Sequence, residues 1–137
     1  MANPPPPSAK TAIIGIGSPF EDDIAGWSAV DVLAEESWVK TRLEAGTLVL
    51  HKLDRPGLEL LEYMRGHEHV ILIDAVVSVK HSPGMILKLK PEELEQMQAP
   101  VSSHGIGVAE ALAMGKVLGT LPQRLEVWGV VIAGLAS

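Results

Sequence analysis

Lys10-Thr-Ala-Ile-Ile-Gly-Ile-Gly17-Ser-Pro-Phe-Glu-Asp22-Asp23 is a short apolar run that stops at glycines and then turns acidic. Beyond it, Ile24, Trp27, Val30, Leu33 and Ala34 recur at helical spacing as far as Ser37. The apolar period thus changes from strand to helix across the acidic turn. The same alternation continues down the chain. Thr47 to Leu53 reads as a second strand, and Leu58 to Met64 as a short helix introduced by Asp54-Arg-Pro-Gly57. His69-Val-Ile-Leu-Ile-Asp74-Ala-Val-Val77 is nearly continuous in apolar residues, the pattern of a strand covered on both faces. Pro83-Gly84 predicts a turn into a fourth strand, Met85 to Leu89, whose lysines mark a sheet edge. Pro91 to Glu95 gives a helical turn, Gly105 to Leu118 an amphipathic helix, and Arg124 to Ile132 a fifth strand. Strands alternating with helices, without internal repeats, predict a three-layer α/β/α sandwich around a mostly parallel five-stranded sheet.

Composition agrees with one such domain. The 137 residues are 47% hydrophobic but only 4% aromatic, so the core must be built from Val, Ile, Leu and Ala. The formal net charge of -6, with no clustered Lys or Arg, argues against nucleic acid as a partner. No apolar stretch approaches the roughly 18 residues of a membrane span. The absence of cysteine excludes disulfides, zinc fingers and a cysteine nucleophile, and suits a cytoplasmic protein. Residues 1–9 form a flexible Pro-rich tail without the basic start and apolar centre of a signal peptide, leaving 10–137 as the domain.

Polar residues punctuate the apolar elements at Asp22-Asp23, Asp74 and His104. In a parallel α/β sheet the carboxyl ends of the strands share one rim, so residues far apart in sequence can converge there. Gly15-Ile-Gly17 lacks the third glycine of a dinucleotide loop, and the acids that follow would repel a pyrophosphate. One of Asp22 and Asp23 can be an N-cap, but capping does not explain two adjacent carboxylates, so helix capping and functional use both stand for this pair. Asp74 interrupts core-like neighbours, where an unpartnered carboxylate costs several kcal/mol, so it must meet a cation or a metal at the rim. His104 is expected in the first turn of the long helix, with Ser102 or Ser103 as the cap. There the helix dipole keeps its ring neutral and able to bind metal. His51, His67, His69 and His81 read as surface or packing, and Asp54 as an N-cap able to support nearby ligands. Aspartates and a histidine supply oxygen and nitrogen donors, and three protein ligands leave coordination positions open, as in a catalytic or exchangeable site.

These segments resemble a known family, the hydrogenase maturation proteases. The matching stretches are Gly15-x-Gly17-Ser-Pro-Phe-x-Asp22-Asp23, Ile73-Asp74-Ala-Val76, Ser103-His104-Gly-Ile-Gly-Val108 and Val127-Trp-Gly-Val-Val-Ile132. The family has Asn where Ser18 stands, and its first acidic loop is commonly one residue longer. The resemblance implies a phosphorylase/hydrolase-like sandwich and an endopeptidase that removes the C-terminal extension of a nickel-loaded [NiFe] hydrogenase large-subunit precursor. It implies Asp23, Asp74 and His104 as nickel contacts, with Asp22 beside them as a further candidate catalytic group. The nickel is expected to arrive in the substrate, and the family's final helix is missing here. An under-covered sheet face around Leu125, Val127, Val130 and Ile132 would then predict self-association or a partner. The alternative is a non-catalytic metal- or ligand-binding module on the same scaffold.

Overall fold

The computed structural model describes residues 9–18, 24–97 and 107–132. The chain forms β1 (Thr11–Gly17), α1 (Ala25–Ala34), α2 (Ser37–Glu44), β2 (Leu48–Asp54), α3 (Glu59–Met64), β3 (His69–Val77), β4 (Ile86–Leu89), α4 (Pro91–Met97), α5 (Val108–Leu118) and β5 (Arg124–Ile132). The strands make one five-stranded sheet in the order β2-β1-β3-β5-β4. β1, β2, β3 and β5 run parallel, and β4 joins β5 antiparallel at the edge, where its lysines had placed it.

Side chains alternate between two cores. On one face Ile13, Leu48 and Ile73 pack with Val30 of α1 and Val39 of α2. On the other, Ile14, Leu72, Val76, Val127 and Val131 pack with Leu60 of α3, Leu94 of α4 and Leu112 of α5. The central strands β1 and β3 therefore bury both faces, which is why they read as unbroken apolar runs. No helix among the described residues is long and apolar enough to cross a membrane.

Three expectations need correction. The first helix ends at Ala34, and a separate helix, α2, follows it. Val39 is the one side chain that α2 buries fully, so it left no apolar period to detect. The long helix α5 begins at Val108 with Gly107 at its N-cap, not at Gly105 with a serine cap. Finally, Leu125 and Val127 do not share a face with Val130 and Ile132. Val127 is fully buried and Leu125 packs against the same α3–α5 core. Val130, with Trp128, belongs to the α1 side, where both are half-buried. Strand alternation separates odd from even positions, so one uncovered face could never have contained all four.

Candidate functional site

The strand order places a switch point in the middle of the sheet. From β1 the chain crosses through α1 to β2 on one side, then returns through α3 to β3 on the other. The order reverses between β1 and β3, and open α/β sheets bind their ligands at the carboxyl ends beside such a switch point. Asp74 lies there. The last pairing of β1 with β3 is Gly15 with Ile73, so Asp74 is the next residue along the rim, and on its other side it pairs with Gly129 of β5.

Asp74 is half-buried, and its Oδ1 accepts a hydrogen bond from the Ala75 N–H at 2.8 Å. It does not end its strand, because β5 keeps pairing with β3 as far as Val77 and Ile132. Alternation puts Asp74 on the face of Leu72 and Val76, the face covered by α3, α4 and α5. A helix that returns to the start of a parallel strand runs antiparallel to it, so the N-terminus of α5, which leads into β5, lies at the carboxyl rim. His104 precedes the Gly107 N-cap of that helix by three residues in sequence.

The start of α1 is seated on the same rim by two glycines. A Cβ at Gly26 would lie 2.4 Å from the Ile16 carbonyl oxygen and 2.6 Å from that of Ile73, and one at Gly15 would lie 2.5 Å from the Gly26 oxygen. Only the missing side chains let the helix touch both central strands. Trp27 Nε1 adds a hydrogen bond to the Leu53 carbonyl of β2 at 2.9 Å. The N-cap of α1 is Ile24, so the capping position falls one residue after Asp23. Ser18, at the end of β1, is buried.

Asp22, Asp23 and His104 lie outside the described residues, so Asp74 represents the expected metal-contacting set within them. Among the described residues no three His, Cys, Asp or Glu side chains gather around a point. The other histidines are otherwise engaged. His67 Nδ1 meets the Ala9 carbonyl, His69 pairs with Glu126, and His81 Nδ1 meets Ser78 Oγ. His51 stacks edge-on against Tyr63, and burial together with the nearby His67 charge holds its pKa below the usual value.

Asp54 is not an N-cap, since α3 is capped by Leu58. It ends β2 instead, and its Oδ1 accepts from Arg55 Nε at 2.8 Å. Arg55 escaped the sequence reading altogether. Its N–H donates to the Gly17 carbonyl at 3.1 Å, which binds the end of β2 across the end of β1. Its φ of 42° is left-handed, a conformation that no sequence period announces.

A mostly parallel sheet with a carboxylate at its switch point, and no glycine fingerprint for phosphate, defines an α/β protein with a polar group at its carboxyl rim. The chain belongs to the hydrogenase maturation protease family, whose family model matches residues 41–135. It is 36% identical over 76 residues to the hydrogenase 2 maturation protease of Escherichia coli K12, an alignment covering 55% of this chain and 46% of that protein. The match thus spans just under half, 46%, of that relative's length. Its fold is similar to the hydrogenase maturating endopeptidase HybD from E. coli, with TM-score 0.63 and 26% identity over 89% of this chain and 74% of that one. It is also similar to an endopeptidase from E. coli whose structure was solved in solution, with TM-score 0.67 and 26% identity over 93% and 80% of the two chains.

Proposed function

We propose that this protein is an endopeptidase that removes the C-terminal extension of a nickel-loaded [NiFe] hydrogenase large-subunit precursor, and that it recognises the inserted nickel through Asp23, Asp74 and His104. The observation that carries this reading is the position of Asp74 at the switch point of the sheet in a chain of this family. Its support is topological. In the chain, Asp22 and Asp23 fall between β1 and α1, and His104 falls before α5, the two elements whose described ends reach the carboxyl rim that holds Asp74.

Nickel is here part of the substrate. Two carboxylates and an imidazole leave coordination positions to be filled by the precursor's own ligands, so the protease reads out a metal that is already inserted. Hydrolysis adds water across one peptide bond, leaving a new carboxylate on the large subunit and a new amino group on the released tail. Asp22, Asp23 and Asp74 are the candidates for taking the proton from that water. Neither a cysteine nor an activated serine is called for.

The test is cleavage of purified precursor, with and without nickel, by wild type and by Asp74→Asn. This substitution removes the charge and keeps the shape. Cleavage of the loaded precursor alone, abolished in a variant with unchanged thermal stability, is the expected result. Wild-type rates from Asp74→Asn would overturn the site. No cleavage by wild type would leave a binding module on this scaffold.

A further inference from the structure

The sheet has two outer edges, and they differ in how far they are guarded. A bare edge presents a row of unpaired N–H and C=O groups, which proteins blunt with short strands and lysines. β4 is blunted in both ways: it is four residues long and carries Lys88, with Lys90 just beyond it. β2 is seven residues long, contains neither proline nor glycine, and pairs on one side only, with β1. Its single lysine, Lys52, is drawn to Asp31 of α1 at 2.9 Å.

The Thr47 carbonyl accepts from the Thr11 N–H, and the Arg55 N–H donates to the Gly17 carbonyl, so the odd-numbered residues along this strand bond to β1. Alternation turns the N–H and C=O of Leu50 and Lys52 outward, and among the described residues no group bonds to them. Apolar side chains flank this edge in both layers. On one face α2 packs against β2, and its Leu43, one turn from the fully buried Val39, is still exposed, as is Trp38. On the other, Tyr63 of α3 is exposed and stacks edge-on against His51. The carboxyl end of β2 lies at the rim, with β1 between it and β3. Strands are spaced about 4.8 Å apart, so a chain seated outside β2 would lie about 14 Å from β3, a distance that about four extended residues span.

We propose that the free edge of β2 binds the C-terminal extension of the polypeptide substrate as an added antiparallel strand, through the main chain of Leu50 and Lys52. This rests on the reading that the rim receives a precursor for cleavage. The extension follows the scissile bond, so a chain leaving the rim along β2 runs against it. The sheet already carries one antiparallel edge strand, β4. In such a pair each outward residue exchanges both of its bonds with one residue opposite. The main chain supplies the affinity and the flanking apolar groups select alternate side chains, so the segment recognised is extended, free of proline and apolar at every second position.

The experiment follows amide hydrogen exchange, residue by residue, in Asp74→Asn protein with and without nickel-loaded precursor; the substitution keeps the precursor whole. Leu50 and Lys52 should exchange rapidly in the free protein and about tenfold or more slower in the complex, whereas Val49 and His51, already bonded to β1, should change little. In cleavage assays Lys52→Pro removes one outward N–H where an edge strand accepts proline. Its KM should be about fivefold above that of Lys52→Gln, which loses the same Asp31 pair but keeps the N–H, the scale of one hydrogen bond. Exchange reads the native edge, so the test stands even if the proline variant does not fold. Unprotected Leu50 and Lys52 amides in the complex, or equal KM for the two folded variants, overturn the assignment. So does protection that appears without precursor as protein concentration rises, since the edge would then join two copies of the chain. Wild type that cuts precursor while these amides stay unprotected keeps the proteolytic reading and loses the added strand; alternate protection by a precursor that wild type never cuts does the reverse.

Discussion

Replacing Gly26 by alanine should lift α1 off the sheet and destabilise the protein by about 2 kcal/mol, near the middle of the range for overpacked cores. The added methyl carbon would lie 2.4 Å from the Ile16 carbonyl oxygen and 2.6 Å from the Ile73 oxygen, where ordinary contact begins at 3.4 Å. The helix must therefore move by about 1 Å in an interior that has little slack. Alanine returns up to about 1 kcal/mol through its better helix propensity. The clash still wins, because both obstacles are backbone atoms of central strands and cannot rotate away as a side chain would. For a domain of this size each kcal/mol lowers the melting temperature by roughly 3–4 °C, so thermal denaturation should show a fall of about 6–8 °C. Ser28→Ala, at an exposed position of the same helix, is the control and should change almost nothing. Gly15→Ala meets the Gly26 oxygen at 2.5 Å and lifts the same helix, so the double variant should cost less than the sum of the two. A melting temperature for Gly26→Ala at or above wild type would refute the close seating of α1 on β1 and β3.

Two further outcomes follow from the charges. Burial pushes the Glu126 carboxyl up, but its hydrogen bonds and charge interactions with His69 and Lys88 outweigh this and hold its pKa below the ordinary value. A depressed carboxyl stabilises the fold above its unfolded pKa and loses that contribution as pH falls through the folded one, so stability should drop on acidification below about pH 4–5 and drop less in Glu126→Gln, by denaturant titration across pH. The purified protein should contain little metal and bind added Ni²⁺ weakly by calorimetry, because the open positions are left for the substrate's ligands; stoichiometric, tightly held metal would return the reading to a hydrolase that activates water on its own ion.

Much of the fold was legible because its central strands are buried on both faces. Thr11–Gly17, His69–Val77 and Arg124–Ile132 could be read with their ends, since each apolar run stops where cover stops. The edge position of β4 was legible from Lys88 and Lys90 for the complementary reason, that an edge strand faces water. α2 was not legible. It buries Val39 alone and leaves Trp38 and Leu43 exposed, so it is held by local bonding and one anchor, with no apolar stripe. The error over Leu125 and Val127 had a different origin: Arg124 and Glu126 alternate with them and mark the opposite face, but from Val127 to Ile132 the strand is apolar or glycine throughout and the alternation is lost to view. The partners across the layers, Leu94 and Leu112 for one face and Val30 for the other, confirm that division.

The site follows the same logic one level up. Asp74 stood out because a carboxylate within a core strand is tolerable only where the strand reaches a rim, and the sheet order supplies that rim at the end of β1. Arg55 did not stand out, because an Asp-Arg-Pro-Gly sequence is an ordinary turn until the backbone is seen to be left-handed and tied to Gly17. What the two share is the carboxyl end of β1, which pairs with β2 as far as Gly17 and Asp54 on one side but leaves β3 after Gly15 and Ile73 on the other. In that register Ile16 would face Asp74, so it is the parting of β1 from β3, and not the length of β1, that leaves Asp74 at the rim. The divergence of β1 from β3 after Gly15, with its pairing to β2 continued to Gly17, thus sets both the place of Asp74 and that of the turn after β2.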